Sequence, residues 1–405
     1  MNIRPFAALR PEPSKAAAVA AVPYDVVDTA EAKALAEGNP DSFLHVSRPE
    51  IDLAPGTDCS SPEAYAQAYK ALSALESRGT LVREEGPRFY AYRQVMGDHA
   101  QTGVVGCFAA EDYRAGVLKQ HEKTRKDKED DRTRHIFTLK AHTGPVFLTY
   151  RDMAEIDALV AKACEADPLY DFTAPDGIRH TVWTFDPAQN EAVEKAFAGV
   201  PVAYIADGHH RAAAASRASL ERGGEYDWFM AVIFPASQLN ILPYNRLLQD
   251  LNGLSEGEFL ERVKNTFAVS PAADGRPASG RSCRMYFGGA WYDLKWEVPE
   301  GCDPVSSLDV SVLQDRLLAP VLGIDDPRTS PRISFMGGIR GLGELQARVD
   351  DGSNAVAFSM YPVTVGEMMD IADAKAVMPP KSTWFEPKLR SGLFVHTAEC
   401  HSSIN

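Results

Sequence analysis

The 405-residue chain has no Cys-x-x-Cys pair; its six cysteines, Cys59, Cys107, Cys164, Cys283, Cys302 and Cys400, lie scattered along it. That pattern implies neither a zinc knuckle nor a disulfide framework, so a reducing cytoplasm is the expected setting. Long apolar runs are missing too. Nothing approaches the roughly 18 apolar residues of a membrane span. The alanine-dominated run from Ala16 to Val22 is short and follows Pro11, Glu12 and Pro13, so it reads as loop rather than as part of a signal peptide. Positive charge is scarce: 42 Lys and Arg against 56 Asp and Glu leave a net charge of −14. Broad binding to DNA, RNA or an anionic membrane rests on many cation contacts to phosphates, and this balance disfavours it. A small anionic ligand needs only a few local cations. No internal repeat and no low-complexity tail stand out.

What is present is an ordinary globular composition, 45% hydrophobic and 24% charged, long enough for a large core. Four prolines, Pro5, Pro11, Pro13 and Pro23, make the first 25 residues extended chain ending in the turn Pro23-Tyr24-Asp25. Helices are expected over Thr29–Glu37 and from Ser61-Pro62 through Tyr65, Tyr69, Leu72 and Leu75. Strands are expected at Phe89–Met96, Gly103–Ala110, Val146–Tyr150, Thr181–Phe185 and Trp228–Phe234, with helices Met153–Glu165 and Ala188–Phe197 between them. Such interleaving predicts an α/β or α+β layer fold. Residues 252–282 are looser, and strands near Arg284–Phe287, Tyr292–Trp296 and Ala355–Met360 and a helix Val310–Leu322 follow.

The stretch richest in chemistry is Asp207-Gly208-His209-His210-Arg211. It follows the apolar run Val200–Ala206 and opens an alanine-rich helix, so it reads as strand, tight turn, helix. Gly208 allows a sharp turn and close approach to a ligand. Asp207 is expected as the N-cap, leaving free N–H groups in the first turn. Two imidazoles and a guanidinium then add cationic donors where the helix dipole already favours an anion. Four polar or charged groups in five residues exceed what capping needs, and a phosphate or carboxylate site follows.

Two further stretches are ambiguous from the residues alone. His121 to Arg132 reads as a solvated helix with Glu122–Lys126 and Arg125–Glu129 pairs at i,i+4, which leaves His121-Glu122 the less explained part. A Glu beside a cationic pocket is a candidate general base. Met378 to Gly392 contains three prolines with Lys381, Ser382, Thr383, Lys388 and Arg390, and suits a rigid surface loop or a phosphate contact equally. Pro23-Tyr24-Asp25 alone is a turn with an aromatic.

Together, Tyr24-Asp25, His121-Glu122-Lys123-Thr124, Asp207 to Arg211 and Pro379-Pro380-Lys381-Ser382-Thr383 resemble, over nearly the whole length, a prokaryotic family catalogued as domain of unknown function 1015. The segment Gly208 to Arg211 also looks like the Gly-x-x-Arg signature of the ParB/sulfiredoxin fold, and free-serine kinases built on that fold carry a similar pentapeptide. Sulfiredoxin has its reactive Cys where His209 stands, and ParB proteins have Glu-Arg-Arg after the Gly with a DNA-binding helix-turn-helix. Neither activity is therefore expected.

The resemblance implies a mixed-sheet nucleotide-binding core over residues 1–250. Residues 251–405 would form an α/β region bringing the Lys381–Lys388 loop to the site. It implies a phosphotransferase that moves a phosphoryl group from ATP or ADP, with Mg²⁺, to the hydroxyl of a small amino acid or hydroxy-metabolite, L-serine first. Gly208, His209, His210, Arg211, Lys381, Ser382, Thr383 and Lys388 would hold phosphates. Glu122, Asp207 and His210 would be catalytic, with Asp207 also the metal ligand, and His121, Tyr24 and Asp25 would hold the acceptor. The alternative is a regulatory protein that binds nucleotide without turnover. No nucleic-acid or membrane partner is expected, and a homo-oligomer is compatible with the sequence.

Overall fold

The structure, a computed structural model, describes residues 1–398; Cys400 lies outside them. The chain forms two compact units, one comprising Met1–Leu239 and the segment from Pro387 onward, the other Asn240–Glu386. The division falls ahead of the looser stretch 252–282. It also splits the proline-rich stretch Met378–Gly392, leaving Lys381, Ser382 and Thr383 in the second unit and Lys388 and Arg390 in the first.

Among the described residues, nine strands build the sheet of the first unit. They are β1 (Ile3–Arg4), β2 (Tyr90–Met96), β3 (His99–Ala109), β4 (Leu118–Lys119), β5 (Val146–Tyr150), β6 (Tyr170–Thr173), β7 (Arg179–Thr184), β8 (Ala203–Asp207) and β9 (Trp228–Pro235). Their order is β4-β8-β5-β9-β3-β2-β7-β6, with β1 on β3. The β8–β4 and β9–β5 pairs are parallel and the others antiparallel, so the sheet is mixed. The expected α/β layer class is the one found. All five residues of β5 are buried, as an unbroken Val-Phe-Leu-Thr-Tyr run requires of a central strand.

The main helices of this unit are α1 (Thr29–Ala36), α2 (Pro62–Ser77), α3 (Lys126–Leu139), α4 (Ala154–Ala163), α5 (Asn190–Ala198) and α6 (His209–Arg222). Helix α1 starts at a capping box made by Asp28 and Glu31, and α2 at Ser61 with Pro62 in its first turn. Tyr69, expected on the buried face of α2, is exposed; Ala64, Tyr65, Ala68, Leu72 and Leu75 form that face. One core joins Leu148, Tyr150, Ile205 and Phe229 of the sheet to Ile156 of α4, Phe197 of α5 and Ala212 and Ala215 of α6. A second packs Ala32, Phe43, Leu44, Ala68, Leu72 and Leu139.

The second unit holds β10 (Tyr244–Leu248), β11 (Ala268–Pro271), β12 (Ser282–Phe287), β13 (Ala290–Lys295), β14 (Ile333–Gly337) and β15 (Val356–Met360), in the order β11-β13-β12-β15-β10-β14, all pairs antiparallel. The expected helix Val310–Leu322 is a short α-helix, Asp309–Leu313, that widens into π-helix over Gln314–Leu318. Among the described residues no helix is long and apolar enough to cross a membrane.

Candidate active site

The site begins where β8 ends. Strand β8 pairs with β5 in regular register up to Ile205, then slips, so that Asp207 rather than Ala206 stands opposite Phe147. A bulge of this kind re-aims the side chain that follows it. Gly208 then adopts φ +91 and serves as N-cap of α6, where it offers no side chain to the first-turn N–H groups. The conformation favours glycine, and a Cβ on Gly208 would also press on the Arg211 guanidinium at 2.9–3.1 Å. The expectation that Asp207 caps the helix is corrected: its carboxylate is taken by cations instead.

Those cations are Arg211, whose Nη2 lies 3.3 Å from Asp207 Oδ2, and Lys388, whose Nζ lies 3.6 Å from the same oxygen. Burial alone would raise the Asp207 carboxyl, but Lys388, Arg211, His209 and a hydrogen bond from the Gly208 backbone hold it below the usual carboxylate range. Arg211 also donates to the Pro145 carbonyl and is only 10% exposed.

The histidines are not the cationic donors expected. His209 is buried, and burial pushes its imidazole down to about 4. Its ring stands edge-on to His121 at 4.5 Å, and its Nδ1 lies 4.0 Å from Glu122 Oε2. His121, buried beneath, is pushed down to about 3 by the same cause. His210 Nε2 accepts the Arg125 backbone N–H at 3.0 Å, which requires that nitrogen to be unprotonated. Burial lowers its pKa as well. The cations beside the Asp207 carboxylate are thus Arg211 and Lys388 rather than the imidazoles.

The charged run is helical only from Lys126, so Glu122 has no i,i+4 partner on a helix. Residues 121–125 precede the helix, Arg125 is extended at φ −97 and ψ 133, and Arg125 pairs with Asp127. This departure from helix is what brings Glu122 to His209 and the Arg125 N–H to His210. Tyr24 and Asp25 join from the N-terminal turn. The Arg132 guanidinium sits 4.1 Å over the Tyr24 ring, and burial pushes the Tyr24 phenol up to about 12. Asp25 is among the charges that hold Arg211 protonated against its burial. The structure thus gathers Tyr24, Asp25, His121, Glu122, Asp207 to Arg211 and Lys388 in one unit.

Lys381, Ser382 and Thr383 belong to the other unit. There Lys381 has φ 58, its carbonyl accepts from buried Arg246 at 3.3 Å, and Ser382 Oγ donates to the Pro379 carbonyl at 2.6 Å. Among the described residues no group of three or more His, Cys, Asp or Glu side chains is arranged to hold a metal.

A cavity of about 40 Å³ adjoins Arg211, lined also by Tyr24, Arg132, His142, Gly144 and Ser391. Arg132 was hidden in the sequence inside a run that looked solvated, yet Arg132, His135 and Ile136 share one face at i, i+3, i+4. That spacing was the available signal. For His142 and Ser391 no local pattern existed.

No curated protein matches the chain. Among solved structures, a free serine kinase in complex with AMP is similar at 12% identity and TM-score 0.37, over 71% of this chain and 90% of that one. A conserved hypothetical protein from Pyrococcus furiosus is similar at 14% identity and TM-score 0.35, over 72% and 94%. SbnI with a C-terminal truncation, from Staphylococcus aureus, is similar at 10% identity and TM-score 0.39, over 73% and 88%. Likeness at this level carries no argument about activity. Residues 3–311 match the family described as protein of unknown function (DUF1015), and the chain belongs to it.

Proposed function

We propose that the protein is a nucleotide-dependent phosphotransferase acting on the hydroxyl of a small metabolite, with free L-serine the first candidate. The observation that supports it most is the ionised Asp207 carboxylate set between Arg211 and Lys388 at the open first turn of α6. Nucleotide as the donor class rests on the resemblance of the Asp207–Arg211 pentapeptide to that of free-serine kinases.

Phosphoryl transfer asks for positioning and charge stabilisation more than for covalent help. The α6 N–H groups, Arg211 and Lys388 meet the charge on the transferred group. Glu122 accepts the proton of the acceptor hydroxyl as its oxygen bonds to the terminal phosphorus. The bond from that phosphorus to the bridging oxygen breaks, and ADP leaves from ATP, or AMP from ADP. His209, beside Glu122 and neutral, orients it, and Tyr24, Asp25 and His121 border the acceptor. A single carboxylate fits Mg²⁺ that arrives chelated to nucleotide, because such ions keep phosphate oxygens and water as their other ligands. Asp207 would hold it, and the ion would neutralise phosphate charge.

Glu122→Gln is expected to lower kcat by about 10²–10⁴ while nucleotide affinity stays unchanged, as removal of a general base requires. Turnover and calorimetric binding, measured side by side, check it. Undiminished turnover would remove Glu122 from this role.

A further inference from the structure

The cavity behind α6 has an unusual wall. Two guanidinium groups, Arg132 and Arg211, reach it, with the hydroxyls of Ser47, Thr143 and Ser391 and the rings of His135 and His142, and among the described residues no carboxylate lines it. Both acids that pair with these arginines, Asp131 at 2.7 Å and Asp207 at 3.3 Å, stand outside the lining. Two buried nitrogens of wall residues, Arg211 Nε and His142 Nε2, have no hydrogen-bond partner among the described residues. His142 is only 6% exposed. A buried polar atom left unpaired is costly, so each calls for a polar partner.

Size decides what acceptor fits. A volume of about 40 Å³ is room for a few water-sized groups. It cannot take a nucleoside or a triphosphate chain, but it can take one carboxylate with the carbon that bears it. A carboxylate is also the planar acceptor that guanidinium groups bind in paired fashion.

We infer that this cavity is the carboxylate pocket of the acceptor substrate, and that the protein selects small hydroxy acids or hydroxy amino acids over neutral or cationic alcohols. This rests on the phosphotransferase reading for the fate of the hydroxyl, but not for the pocket itself. Arg132 and His142 grip the carboxylate from inside. Arg211 reaches both halves of the site, with Nη2 toward Asp207 and its side chain on the pocket wall, and so ties the position of the carboxylate to that of the phosphate.

Gly144 supplies a clean probe. A Cβ there meets Arg211 Cδ and Ser391 Oγ at 3.6 Å, ordinary contact distances, and the residue has no left-handed backbone to strain. Gly144→Ala therefore puts a methyl group into the cavity without disturbing the fold. The test is titration calorimetry of the full chain and of G144A with L-serine, glycolate and ethanolamine, each with and without ADP. The wild-type protein should bind L-serine and glycolate at least tenfold more tightly than ethanolamine. G144A should weaken both carboxylates at least tenfold, with melting temperature and ADP affinity unchanged. Equal binding of ethanolamine overturns the inference, as does carboxylate binding untouched by G144A or absent altogether, which would mean that the cavity holds water only. Carboxylate binding that persists where ADP fails to bind upholds the pocket and overturns the nucleotide reading instead.

Discussion

The two units differ most in how they use titratable groups. All ten histidines of the chain lie outside residues 240–386. In the first unit burial holds His121, His135, His142 and His180 down at about 3, and His209 at about 4. The second unit has no histidine, and its outlier is Asp309, which burial pushes up to about 7. Each unit also buries an arginine. Arg211 is held charged by Asp25 and Asp207, whereas Arg246, donating to the Tyr244 and Lys381 carbonyls without a carboxylate beside it, is lowered to about 10. Buried imidazoles are thus confined to the first unit, while each unit holds a buried arginine in a different electrostatic setting.

The comparison predicts opposite responses to acid. A histidine whose folded pKa lies far below its unfolded value of about 6.5 makes the unfolded chain bind more protons, so stability is lost as pH falls from about 6.5 toward 3. Asp309 works the other way, because its folded form binds the proton first and stability rises as pH falls from about 7 toward 4. Hydrogen exchange at pH 6.5 and pH 5, corrected for intrinsic rates, should show protection falling across Met1–Leu239 and not across Asn240–Glu386. This is the largest effect expected. A second unit that weakened first would break the comparison.

The arginines come next. Arg211→Ala leaves Asp207 short of a partner in a buried site and should cost about 3 kcal/mol, besides abolishing turnover. Arg246→Met orphans carbonyl oxygens but no charge, and should cost about 1–2 kcal/mol. Chemical denaturation of the two variants measures the difference, and equal costs would mean that the carboxylate pairing is irrelevant. Asp309→Asn removes a carboxyl whose charged form burial disfavours, so it should raise stability at pH 7 rather than lower it. It should flatten the second unit's gain in acid.

Strands of continuous apolar character were legible in the sequence. Val146–Tyr150 coincides with β5, and Trp228–Phe234 differs from β9 by one residue, because full burial leaves no other place for such runs. The strand–glycine–helix turn at Asp207–Arg211 was legible for the same reason. What failed was the accounting of polar groups, which depends on contacts distant in sequence. Asp207 looked like a cap because nothing nearby reveals Lys388, 181 residues away, beside its carboxylate. The charged run looked helical from His121 because its alternating charges suit a helix. The need to bury His121 against His209 and to deliver the Arg125 N–H to His210 decided otherwise. The imidazoles looked cationic because burial cannot be read from adjacent residues.

Phosphorus NMR tests the account most directly. The purified chain is incubated with Mg²⁺, ATP or ADP, and a panel of hydroxy acids, L-serine and neutral alcohols. The account predicts a new phosphomonoester resonance with the hydroxy acids or L-serine, matched by release of ADP or AMP, and none with the alcohols. Nucleotide that binds tightly while no ester appears with any acceptor would contradict it.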